Sequence, residues 1–103
     1  MTDEHKEAYQ HTRDRLRERW LVDLTPEEYQ DLLAQIRNGS IKTGFARYKK
    51  TAIHIVQTSR GKCVVAYRDG LIRTAYPRSY PIPKRAIEAF ERTYKKVQQD
   101  VSL

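Results

Sequence analysis

His11 and Arg15 stand four positions apart in a stretch free of glycine and proline, so a helix there presents both side chains on one face. Such a pair suits phosphate chemistry. An imidazole titrates near neutrality and can move a proton, while a guanidinium holds phosphate oxygens in a fork, which fits either phosphodiester cleavage or plain phosphate binding. An ordinary solvated helix face has the same spacing. Arg13, Arg17 and Arg19 surround the pair, and Arg47, Lys49, Lys50, Arg60, Lys62, Arg68, Arg73 and Arg78 follow along the rest of the chain. Of these, Arg13, Arg19, Arg47, Lys49, Lys50, Arg68 and Arg78 are the candidate nucleic-acid contacts. Arg73 falls between Leu71 and Ala75 in a strand-like run, where an arginine either lines a groove or pairs with an acidic partner.

His54 alternates with Ile53 and Ile55, so it is expected on the opposite strand face, away from the main core, as a structural histidine or facing a ligand. Tyr67, Tyr76 and Tyr80 are aromatic groups that could stack on bases or offer a phenolic proton to phosphate, and equally could be half-buried packing residues. Cys63 is the one cysteine, which excludes an intrachain disulfide, and its apolar surroundings read as those of a small core side chain. His5, His11, His54 and Cys63 lack the clustered spacing of a zinc site, and no cofactor is expected. A Gly-rich phosphate loop, a serine nucleophile elbow and a dinucleotide fingerprint are absent from the sequence.

The chain has 103 residues and a formal charge of +7, which favours one small domain over residues 1–103 and polyanionic partners through counterion release. A hydrophobic fraction of 39% beside 32% charged residues leaves enough apolar material for a modest core. No apolar run approaches the roughly 20 residues of a spanning helix, and the acidic start is unlike a signal peptide. A soluble, cytoplasmic protein is therefore expected.

The elements that must position these residues follow from punctuation and periodicity. Thr2 to Trp20 is rich in helix formers, with Ala8, Tyr9, Leu16 and Trp20 as a narrow apolar stripe. In the second helix Thr25, Pro26 and Glu28 compose a capping box, Leu24 and Tyr29 a hydrophobic staple, and Asn38-Gly39 the exit. Strands are expected over Ile41 to Tyr48, Thr51 to Thr58, Lys62 to Tyr67 and Leu71 to Tyr76, with turns at Lys49-Lys50, Ser59-Arg60-Gly61 and Arg68-Asp69-Gly70. Such short connections make an antiparallel meander. Pro77 to Pro83 reads as an extended crossing, and a last helix begins near Lys84 with Ile87, Phe90, Tyr94 and Val97 in its stripe and fraying over Gln98 to Leu103. The expected class is α+β, with two N-terminal helices, a four-stranded antiparallel sheet and a C-terminal helix.

That element order, with His11-Thr12-Arg13-Asp14-Arg15 opening the chain and Leu71-Ile72-Arg73-Thr74-Ala75-Tyr76-Pro77 closing the sheet, resembles small phage and bacterial domains of the RelE-like toxin group. The group also contains barnase-like, EndoU-like and colicin-type ribonucleases. The resemblance spans about Tyr9 to Pro77 and rests on element order and short motifs. It implies metal-independent RNA cleavage by 2′-hydroxyl attack, with His11 as acid or base, Arg15 and Arg73 on phosphate, and Thr74 and Tyr76 beside them. Two features depart from the group's pattern: a helix beyond the minimal domain, and no second histidine on the closing strand. Some members of the group keep binding without catalysis, so a non-catalytic nucleic-acid-binding module stands as the alternative. The expected partners are RNA or another nucleic acid, with an antitoxin or an acidic host protein as the protein candidate, and no membrane.

Overall fold

Thr25 begins the best-punctuated element: its hydroxyl accepts the Glu28 N–H at 3.1 Å, and Pro26 takes the first position of the helix, where a missing N–H costs nothing. The computed structural model describes residues 2–45 and 50–101, with backbone alone for residue 45 and residues 94–101. Helix α1 runs over Asp3–Trp20 and α2 over Pro26–Arg37; strands β1 (Ile41–Phe45), β2 (Ala52–Thr58), β3 (Gly61–Arg68) and β4 (Leu71–Ala75) follow, then α3 (Lys84–Val101). The sheet is antiparallel in the order β1-β2-β3-β4. The fold is α+β, as the sequence predicts. The expected extension of β1 to Tyr48 and the turn residue Lys49 lie outside the described residues, as do the side chains of Tyr94 and Val97 and the terminal pair Ser102 and Leu103.

The capping box forms by half. The Glu28 carboxylate oxygen Oε1 is buried without a partner instead of turning back to the cap, and its charge is felt at Cys63. Leu24 and Tyr29, the expected staple, are both buried in the core. Asp69 and Gly70 both have positive φ, 51° and 79°, the geometry of a two-residue hairpin turn whose twist matches the strands it joins.

The main core lies between the sheet and the first two helices, where Leu16, Tyr29, Leu32 and Leu33 meet Val56, Cys63, Val65 and Ile72. His54 is directly opposite Val65, so it shares that face, and the expectation that it points away from the main core is corrected. Its neighbours on the other face, Ile53, Ile55, Val64 and Ala66, are buried as well, with α3 packed along β1. Both faces are covered, which explains why β2 and β3 read as nearly continuous apolar runs. Among the described residues no helix is long and apolar enough to cross a membrane.

Helix α1 closes the sheet's β4 edge. The Thr12 and Tyr29 hydroxyls both donate to the Ile72 carbonyl at 3.0 Å, Arg19 donates to the Ala75 carbonyl at 2.7 Å, and the Trp20 indole N–H to the Tyr76 carbonyl at 2.7 Å. These contacts advance together along both elements. From Thr12 to Trp20 the helix rises about 12 Å, and from Ile72 to Tyr76 the strand advances about 13 Å, so the two run in parallel and in step. An edge strand that would otherwise expose acceptors is thereby blunted.

Candidate functional site

Along that edge His11 leaves α1 toward solvent, and its Nε2 lies 3.1 Å from the Thr74 hydroxyl on β4. The contact spans 63 positions of sequence. Either the ring nitrogen accepts the hydroxyl proton or it donates to the hydroxyl oxygen, and in both cases Thr74 fixes the orientation of an exposed imidazole. Thr74 is opposite Ala66, and the Tyr76 N–H bonds the Val64 carbonyl at 2.9 Å. Thr74 and Tyr76 therefore project from one strand face about 7 Å apart. Burial, and then the neighbouring Tyr80, raise the Tyr76 pKa above the ordinary phenolic value, so its hydroxyl stays a donor at neutral pH.

Tyr80 belongs to the same row. A turn over residues 77–80 closes with the Tyr80 N–H on the Pro77 carbonyl at 3.0 Å, and the Tyr80 ring returns onto Tyr76 with centroids 4.4 Å apart and planes tilted by 33°. Beside them the Arg78 guanidinium lies over the Trp20 ring, 5.4 Å from its centroid. Trp20 was legible only as part of the α1 stripe. A part-buried indole N–H needs an acceptor, and the one it finds lies 56 positions away, beyond the reach of any local pattern.

The other candidates divide. Arg15 is bound to Glu18 at 2.8 Å, and Arg13 to Asp14 at 3.4 Å with its guanidinium 5.8 Å from the Tyr9 ring centroid. Arg73 is the extra residue of a bulge in the β3–β4 pairing; it donates to the Arg68 carbonyl at 3.1 Å and to Glu4 at 2.8 Å. Of the two readings open for Arg73, pairing with an acidic partner is the one observed. Arg68 and Lys50 sit at the turns by the N-terminal ends of α1 and β4, whereas Arg19 and Arg78 sit at the C-terminal ends. Some 24 Å of helix separates these poles, so the structure does not bring the cations together as one patch. Arg47 and Lys49 lie outside the described residues.

His54 is held by the Ser40 hydroxyl at 2.8 Å and edge-on to Tyr67, and burial, followed by Lys42, lowers its pKa from 6.5. It is a satisfied interior group. Cys63 is buried, and burial pushes its thiol pKa to about 12, so it is an unreactive core side chain. A cavity of about 320 Å³ between the end of α2 and α3, with Ile41, Ile55 and Phe90 in its wall, holds none of the candidate catalytic or nucleic-acid-binding residues. Comparison with protein-family models, with curated proteins and with solved structures finds no match to this chain.

Proposed function

We propose that the α1–β4 edge is a nucleic-acid site and that the protein cleaves RNA without a metal, by attack of the ribose 2′-hydroxyl on the adjacent phosphorus. The single observation that carries this reading is the exposed His11 imidazole, oriented by Thr74 from 63 positions away in sequence. In the step, His11 takes the 2′-hydroxyl proton as the O2′–P bond forms and the P–O5′ bond breaks. One imidazole covers one transfer. The leaving 5′-oxygen takes its proton from the Tyr76 phenol or from water, and Tyr76 otherwise donates to a phosphate oxygen. Arg15 joins only by exchanging Glu18 for phosphate, and Arg73 only by exchanging Glu4.

Those two exchanges favour a second reading, in which the same edge binds nucleic acid and turns nothing over. A single assay decides between them. Purified protein is incubated with total RNA in EDTA beside His11→Ala and Arg15→Ala. Cleavage that persists in EDTA and falls at least a hundred-fold in His11→Ala, within the usual range for a lost acid–base group, supports the nuclease; a smaller fall in Arg15→Ala fits its partial engagement. Cleavage lost in EDTA, or unchanged from wild type in both variants, overturns it. Binding without cleavage selects the second reading.

A further inference from the structure

Neither tyrosine of the 76–80 pair belongs to the aromatic set packed on the main core, which comprises Tyr29 with Tyr9, Trp20 and Tyr67 around it. Both are half-buried at the surface, and their contact is held by a local turn and by tethers from α1. The turn hydrogen bond folds Tyr80 back, Pro77, Pro81 and Pro83 restrict the backbone around it, and Trp20 and Arg19 pin the strand end through the Tyr76 and Ala75 carbonyls. A ring held this way loses little conformational freedom when something stacks on it.

Resting on the nucleic-acid reading above, we propose that the Tyr76–Tyr80 stack is a platform for one unpaired base, so that the ligand is single-stranded and the base lies beside the phosphate held at His11–Thr74. The spacing fits: Thr74 and Tyr76 stand about 7 Å apart on one strand face, within the span of a single nucleotide. A base on the platform and its own phosphate on the imidazole side need no stretch of the strand. The Arg78 guanidinium, stacked on Trp20 beside the pair, supplies a second flat cationic surface of the kind that single-strand binders use. A duplex keeps its bases inside and leaves such a platform empty.

The chain's one tryptophan is Trp20, hydrogen-bonded to the platform residue Tyr76, so its fluorescence reports occupancy without a label. The probe is a short 2′-deoxyoligonucleotide, which lacks the attacking hydroxyl and isolates binding from cleavage, offered single-stranded and as a duplex with its complement. The single strand is expected to bind at least ten-fold more tightly and to change the Trp20 emission. Tyr80→Ala and Tyr80→Leu, each checked for an unchanged far-ultraviolet circular dichroism spectrum and melting temperature, are expected to weaken single-strand binding five- to a hundred-fold, roughly the range for one stacked base. Tyr80→Phe keeps the ring and is expected to keep the affinity. Equal affinity for single strand and duplex, or Tyr80→Leu binding as tightly as wild type, overturns the platform while leaving a polyanion-binding edge standing. Absence of binding to either probe overturns the platform, and absence of both binding to and cleavage of single-stranded RNA removes the nucleic-acid reading with it.

Discussion

The Ile72 carbonyl accepts two buried hydroxyls, Thr12 and Tyr29, each at 3.0 Å. Removing one donor leaves the acceptor satisfied; removing both leaves a buried carbonyl empty, at a cost of about 1–3 kcal/mol. Thr12→Val and Tyr29→Phe are therefore expected to destabilise by about 1 kcal/mol each and the double variant by clearly more than their sum. Chemical denaturation of all four proteins measures this, and additive values would show that the two hydroxyls act independently. His54 makes a second expectation at this scale. Burial lowers its folded-state pKa below 6.5, so the unfolded chain binds the proton first as pH falls. Stability is then full above about pH 6.5 and declines as pH drops toward the folded value. His54→Asn is expected to flatten the fall in melting temperature between about pH 7.5 and about pH 5; an unchanged slope would assign that fall to other groups.

Among the elements, α1 ends on an unusual residue. Leu21 closes the helix with φ 56° and ψ 35°, in the left-handed region, with the Val22 N–H returning to the Leu16 carbonyl at 3.2 Å. Glycine ordinarily fills such a position because it has no Cβ to strain. The Leu21 side chain is 65% exposed and has little packing to lose, so Leu21→Gly is expected to stabilise by about 1 kcal/mol and to raise the melting temperature by roughly 4–8 °C. A lower melting temperature would mean that the leucine makes contacts that outweigh its backbone strain. The contrast with α2 explains what the sequence made legible. Thr25, Pro26 and Asp69-Gly70 act through neighbours a few positions away, so their residue types announce the element directly. The α1–β4 seam depends on partners some 60 positions apart, and no local pattern shows that Thr12, in line with Ala8 and Leu16, meets a strand carbonyl. Arg73 was ambiguous for the same reason: whether it holds phosphate or Glu4 depends on where the start of α1 comes to rest. His11 and Thr74 were each marked from the sequence, but their meeting is a property of that seam.

For the whole molecule, the question is where the excess positive charge resides. Counting residues suggests a broad cationic face on α1, yet Arg13, Arg15 and Arg17 all sit within 4 Å of a carboxylate on or just after the same helix. Antiparallel order sends the cations to opposite ends of the sheet. The β2–β3 turn carries Arg60, with Lys62 just inside β3, at the end where β4 finishes and Arg78 follows; Lys50 and Arg68 flank the far end. The aromatic row and the Trp20 tether lie at the first of these poles. If nucleic acid is read there, most of the counterion release should come from that pole. Replacing Arg60, Lys62 and Arg78 together with glutamine is expected to reduce the slope of log K against log salt by about 2 for a single strand, since each phosphate contact contributes about 0.7. The pair Lys50→Gln and Arg68→Gln should leave the slope within about half a unit of wild type. Equal losses from the two sets would mean that the strand wraps the molecule from end to end, and the edge defined by His11, Thr74 and Tyr76 would then be one contact among many.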